Sequence, residues 1–331
     1  MDWNRLPKVE LHLHLDCSLS YAVVSRLDPS ITLEEYRAGF IAPAKCLDLA
    51  DCLTRASLGV ALMQTEEQLR LVTLDLFEQL GQDNVLYAEI RFAPLLHTAQ
   101  GLSGRQVVSS VEAATAEAVR STGIEARLLL CTLRNFSASQ SLDTVQLVEQ
   151  FRGTYVAGFD IAADEAGYPI DGHIAAFQYA REREIPCTAH AGEARGPDSV
   201  WETLQHFAPS RLGHGVRSIE EPALVDYLRQ HRIHLEVCPT CNVQIDIYDT
   251  YADHPIDQLL RVGVSVGVNT DTRTMTDITL SEEYAKLHQT FGWDTHDFYQ
   301  CNRNALNAAF VPEDVRNGLL AQLACGYQHI L

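Results

Sequence analysis

The sequence predicts an α/β protein, a (β/α)8 barrel of the TIM type with a helical insertion after strand 1 and extra C-terminal helices. Three observations carry this. Beyond residue 85, short apolar segments alternate one for one with helical segments, the pattern of parallel strands joined by crossover helices. Counting the segment near the N-terminus, the strands number eight, which favours closure over the alternative of an open doubly wound sheet. The glycine-rich phosphate turn that marks such open sheets is missing, because Asp16-Cys17-Ser18 follows the first strand.

The elements follow in order. Residues 9–16 alternate strictly between apolar and polar, so a strand there turns Leu11, Leu13 and Leu15 one way and Glu10, His12, His14 and Asp16 the other. Helical patterning over 20–27 is broken at Pro29-Ser30, and an irregular helical region over 32–58 contains no strand. That region reads as an insertion, and we expect it to lid the site. Residues 66–80 form an amphipathic helix with Leu69, Val72, Leu76 and Leu80 on one stripe. Strands are expected over 85–92, 126–133, 156–162, 186–190, 211–214, 233–238 and 264–269. Helices are expected over 104–121, 142–151, 171–183, 199–207, 222–230 and 256–262, with three more helical stretches at the end. No internal repeat or low-complexity linker divides the chain, so residues 1–331 are expected to form one barrel domain.

Composition limits the partners. At 331 residues and 46% hydrophobic, the chain can bury one large core. The 25 basic residues face 44 acidic ones for a formal charge of -19, and only Lys8, Lys45 and Lys286 are lysines. With no basic run, the sequence argues against nucleic acid or an acidic membrane surface as partner. Nine scattered cysteines suit a reducing cytoplasm better than a disulfide framework. The N-terminus lacks the apolar stretch of a signal peptide, and no apolar run has membrane-spanning length. A cytoplasmic, soluble protein is the expectation.

In a parallel barrel, chemistry collects at the C-terminal ends of the strands. Those ends carry His12, His14 and Asp16 on the first strand, Asp164-Glu165 on the fourth, and His190-Ala191-Gly192-Glu193 on the fifth. The sixth ends at His214-Gly215 and the eighth at Asp271. His12, His14, His190 and Asp271 could surround one ion. Nitrogen donors with one carboxylate and no thiolate suit zinc or a similar borderline ion. A single ion is expected, since the fourth strand has no lysine to bridge a second. Two other patterns are set aside. His234-Leu235-Glu236 followed by Cys238-Pro239-Thr240-Cys241 looks like a cytidine-deaminase-type zinc site, but its halves are nearly contiguous and Val237 stands where that site needs proline. As a redox Cys-x-x-Cys it is also a poor fit, because proline follows the first cysteine at a strand end, which marks a structural turn.

Several motifs together resemble the adenosine deaminase family of the amidohydrolase superfamily. They are Lys8-Val9-Glu10-Leu11-His12-Leu13-His14-Leu15-Asp16, Thr188-Ala189-His190-Ala191-Gly192-Glu193, Gly213-His214-Gly215, Glu236-Val237-Cys238-Pro239-Thr240 and Asn269-Thr270-Asp271. Tyr87-Ala88-Glu89-Ile90-Arg91-Phe92-Ala93-Pro94, Asn242-Val243-Gln244 with His254-Pro255, and Asn302-Arg303-Asn304-Ala305 support them, in order over nearly the whole chain. The resemblance implies one Zn2+ per chain on His12, His14, His190 and Asp271, lowering the pKa of a bound water. It implies Glu193 as the group that protonates the purine ring nitrogen, and hence a raised pKa for that carboxyl. Asp271 and His214 would orient the attacking oxygen, with His214 steadying its charge. The substrate would be a purine nucleoside contacted by His14, Asp16 at a sugar hydroxyl, the Ala163 amide and Thr272. The implied activity is deamination of adenosine and 2'-deoxyadenosine in purine salvage.

The chain departs from the family pattern at the substrate side. Cys17 follows Asp16 where the family has glycine, Ala163 replaces a glycine in 160–165, and Thr272 stands where an aspartate or asparagine is usual. Scarce basic residues speak against AMP. The alternatives are adenine or a 5'-modified adenosine such as aminodeoxyfutalosine. A catalytically silent nucleoside-binding protein is disfavoured, because every ligand and Glu193 are present.

Overall fold

In the computed structural model, residues 2–328 are described. Eight parallel strands form the centre: β1 (Lys8–His14), β2 (Val85–Phe92), β3 (Glu125–Leu133), β4 (Val156–Ala162), β5 (Thr188–Ala191), β6 (Arg211–His214), β7 (His234–Val237) and β8 (Ser265–Val268). They run in two four-stranded groups, β1-β2-β3-β4 and β5-β6-β7-β8. Two seams join the groups. Phe159 N–H donates to the Pro186 carbonyl at 3.0 Å on one side. On the other, His14 N–H donates to Asp271 O at 2.8 Å and Asp271 N–H to His12 O at 3.1 Å. The closing seam therefore lays His12, His14 and Asp271 side by side.

Outward-facing apolar residues hold the helices on. Leu13, Ile90, Leu128 and Leu130 share a buried cluster with Leu76 and Leu80 of helix Glu66–Gln82 and Val108 and Val111 of helix Gly104–Thr122. Each such side chain contributes roughly 1.5–3 kcal/mol by leaving water. The barrel interior differs. Glu89, Arg91, Asp160, Arg211 and Glu236 point into it with no exposure, which is affordable only because they pair with one another. The C-terminal helices seal the N-terminal end: Asn302 Oδ1 accepts Val9 N–H at 2.7 Å, and Arg211 Nη1 donates to Ala308 O at 2.8 Å.

The structure departs from sequence expectation at a few elements. Helix Ala138–Gln150 starts before residue 142, because Ser137 and Gln140 cap it reciprocally. The 32–58 region is three short helices, Leu33–Gly39, Leu49–Leu53 and Ala56–Ala61, interrupted around Pro43. A helix not anticipated, Pro239–Gln244, follows β7 with proline in its first turn. Finally, β1 ends at His14, and Leu15–Cys17 is a 3-10 turn closed by Ser18 N–H on Leu15 O at 3.3 Å. No helix among the described residues is long and apolar enough to cross a membrane.

Candidate active site

Four side chains meet above the closing seam. His12, His14, His190 and Asp271 each present a ligand atom within 4.8 Å of the others. His14 Nε2 lies 3.2 Å from His190 Nε2, and Asp271 Oδ1 is 3.3 Å from His12 Nε2 and 3.4 Å from His14 Nε2.

Buried carboxylates set the protons on two of these rings. His12 Nδ1 bonds Glu236 Oε2 at 2.9 Å, and Glu236 also accepts from Arg91 at 2.6 Å and Thr188 Oγ1 at 2.9 Å. Burial opposes charge on Glu236, but Arg91 and Arg211 outweigh it and hold the carboxyl well below its ordinary range. An ionised Glu236 needs a donor, so His12 carries its proton on Nδ1 and turns a bare Nε2 inward. His190 Nδ1 faces Asp160 Oδ2 at 3.2 Å, and Asp160 pairs with Arg91 at 2.7 Å. Its Nε2 is bare by the same argument. Burial lowers the His14 pKa to about 3 and lowers that of His190, so both rings are neutral near pH 7.

These residues fit a divalent cation. The buried His12 Nε2 has no hydrogen-bond partner, a costly state that a ligated ion removes. Two inward imidazole nitrogens 3.2 Å apart beside a carboxylate complete the donor set. A second grouping joins His12, His214, Cys238 and Asp271. Burial pushes the Cys238 thiol well up, and its Sγ donates to Glu236 O at 3.5 Å, so without an ion Cys238 rests as a thiol.

A pocket opens onto the ring. His14, His190, Glu193, His214 and Asp271 supply its polar floor, while Leu49, Cys52, Leu53, Cys17, Ile245 and Met275 form an apolar wall. Burial, with Asp271 and Glu165 adding to it, raises the Glu193 pKa well above the carboxylate range, so the side chain can donate a proton. The loop after β5 that carries it is anchored by Glu165, which accepts from Gly192 N–H at 2.8 Å, Glu193 N–H at 3.0 Å, Arg195 N–H at 2.9 Å and Ser199 Oγ at 2.6 Å. His214 Nε2 is 3.4 Å from Glu193 Oε1 and 3.9 Å from Asp271 Oδ2. Three non-glycine residues at this rim, Ala163 (φ 78°), His214 (φ 59°) and Asp271 (φ 67°), are left-handed, strain of the kind that gathers at functional sites.

A sequence model described as adenosine deaminase matches residues 7–325. The chain belongs to the adenosine deaminase family. Among relatives, adenosine deaminase 1 of Streptomyces coelicolor is 36% identical, covering 96% of this chain and 86% of its own. Adenosine deaminase of Mycobacterium marinum is 38% identical, covering 95% and 92%. The crystal structure of an adenine deaminase from Arthrobacter aurescens superposes with a TM-score of 0.89 at 25% identity, over 96% of this chain and 98% of that one. The crystal structure of Arabidopsis ADAL complexed with IMP gives 0.88 at 22% identity over all of both chains, a likeness of fold. This family member is a metal-dependent deaminase acting on a purine or purine nucleoside.

Of the residues singled out in the sequence, His12, His14, His190, Glu193, His214 and Asp271 come together, and Ala163 and Thr272 line the same pocket. Asp16 does not join them. Because β1 ends at His14, the period-two alternation stops before Asp16, whose Oδ2 faces His97 Nε2 at 3.8 Å outside the pocket lining. Cys17 takes a place in the wall instead. Sequence reasoning passed over Asp160, Glu165 and Glu236 as supports. Their one local signal is charge within or just after an apolar parallel strand.

Proposed function

We propose that the chain, as one barrel domain, deaminates adenosine and 2'-deoxyadenosine to the 6-oxopurine nucleoside and ammonia, using one zinc ion. The observation that carries this reading is the ring of His12, His14, His190 and Asp271 directly beside Glu193, whose carboxyl pKa is pushed well above its usual range by burial and Asp271. Three imidazole nitrogens and one carboxylate favour zinc. Such an ion supplies a nucleophilic water at neutral pH. The remaining work falls to the protein. Glu193 delivers its proton to the ring nitrogen beside the amine-bearing carbon, which makes that carbon electrophilic. His214 and Asp271 orient the attacking oxygen, and the His214 side chain stabilises its charge. The Ala163 amide, His14 and Thr272 are assigned to the purine. Names of relatives at 36–38% identity support adenosine as substrate, and purine salvage in the cytoplasm suits nine cysteines that form no disulfide.

A second reading has its own support. Asp16, the residue assigned to a sugar hydroxyl, is engaged with His97, and the pocket wall is apolar. Both features favour a free adenine base or an adenosine with an apolar 5' substituent. A panel of adenosine, deoxyadenosine, adenine, AMP and 5'-modified adenosines, assayed for ammonia release, separates the two. Adenosine and deoxyadenosine are expected to rank highest in kcat/KM. A higher rank for adenine or a 5'-modified adenosine selects the second reading, and no release from any of them overturns both.

A further inference from the structure

We infer that Asn242 and His254 act as positioning residues that fix the tautomer of His214, keeping its proton on Nε2 and aimed at the reacting centre. The chain of hydrogen bonds starts at the outer end, next to helix Ile256–Arg261. Ile256 N–H donates to His254 Nδ1 at 3.2 Å. A nitrogen that accepts is bare, so neutral His254 carries its proton on Nε2. That nitrogen lies 3.2 Å from Asn242 Oδ1, which fixes which way the amide faces. Asn242 Nδ2 then donates to His214 Nδ1 at 3.0 Å. With Nδ1 occupied as an acceptor, the His214 proton sits on Nε2, which faces Glu193 and Asp271.

Each link is buried: Asn242 is 0% exposed, His214 1% and His254 2%. No solvent competes for these groups, so an unfilled position costs free energy and the donor order is enforced. Local sequence builds the relay. Pro239 starts the short helix after β7, Asn242 N–H closes on Cys238 O at 3.0 Å, and Ile247 N–H returns to Asn242 O at 3.1 Å. His254 enters from the following loop, just before helix Ile256–Arg261. The consequence is functional. A protonated Nε2 is a hydrogen-bond donor to the attacking oxygen and cannot, in the resting enzyme, accept a proton there. His214 is thereby a stabiliser of negative charge rather than the base, a role that rests on the deaminase reading above.

The test reads the tautomer directly. In the zinc-loaded protein labelled with 15N-histidine, the His214 signals, assigned by their loss in His214→Gln, are expected to show Nδ1 unprotonated and Nε2 protonated. The opposite pattern overturns the inference whether or not adenosine is the substrate, and it needs no variant of the relay to fold. Asn242→Asp supplies the second arm. A carboxylate accepts at both ends and so draws the His214 proton to Nδ1. We expect the 15N pattern to invert and kcat to fall ~10²–10³-fold, as on loss of a charge-stabilising donor, with KM and zinc content unchanged. Unchanged kcat, or a loss confined to KM, zinc content or melting temperature, would assign Asn242 a structural role and overturn the relay.

Discussion

Gly213 sets how tightly the imidazoles can pack. A Cβ there would stand 2.8 Å from His12 Cε1 and 3.2 Å from His190 Cγ, and neither ring can move without breaking its bond to Glu236 or Asp160. Gly213→Ala should therefore lower bound metal per chain and cost roughly 1–3 kcal/mol of stability, read by metal analysis and thermal melting. Full metal content in the variant would mean that the ring tolerates displacement. Glu193→Gln tests chemistry without disturbing the ring. Its kcat should drop ~10²–10⁴-fold while metal content stays the same; full turnover would remove Glu193 as proton donor. At this scale the clustering of His12, His14, His190 and Asp271 was legible, since each stands at or near a strand end. Their partners were not, because Glu236 and Asp160 matter only across the barrel, from strands far apart in sequence. Asp16 stands apart from the pocket lining for a local reason. Alternation continues through residue 16 in the sequence, while the backbone leaves the strand at His14.

The loop after β5 shows how one side chain holds an element. Glu165 satisfies three backbone N–H groups and Ser199. In Glu165→Ala those donors lose their acceptor, at roughly 1–3 kcal/mol for each that stays buried and unpaired. The variant should unfold at lower urea concentration and turn over more slowly, yet keep its metal, because His190 precedes the loop. Unchanged stability and rate would show that the loop holds itself. Most elements were readable from pattern, as with the Leu69, Val72, Leu76 and Leu80 stripe of helix Glu66–Gln82. The 32–58 region was not, because its helices are too short for periodicity to locate. Its placement is tertiary: Leu49, Cys52 and Leu53 cover the pocket, and Gly59 approaches so closely that a Cβ would sit 2.4 Å from Asp16 O.

Across the whole molecule, the alternation of strands and helices pointed to a parallel sheet covered on both faces, and the count of eight strands with no glycine-rich turn after the first favoured a closed barrel over an open sheet. The charged interior was less legible, since no strand alone reveals which opposite charge it will meet. Burial of charge also shapes stability. Lys8, at the start of β1, donates to Leu6 O at 2.9 Å and Asp83 O at 2.7 Å, and burial lowers its pKa from 10.5 to about 8 despite Asp83. Between those values the unfolded chain binds more protons than the folded one, so the Lys8 contribution to stability rises with pH across that window, by about 3 kcal/mol in all. Comparing urea midpoints of the wild type and Lys8→Met at pH 7, 9 and 10.5 isolates it. The wild type should gain on the variant as pH rises, and parallel curves would contradict the shift.

Whether one ion drives purine deamination is read by titrating metal-free protein with Zn2+ while following ammonia release from adenosine. Activity should be absent at the start, rise linearly and level off at one equivalent per chain. Turnover by the metal-free protein, or a plateau at two equivalents, would contradict a single-ion deaminase.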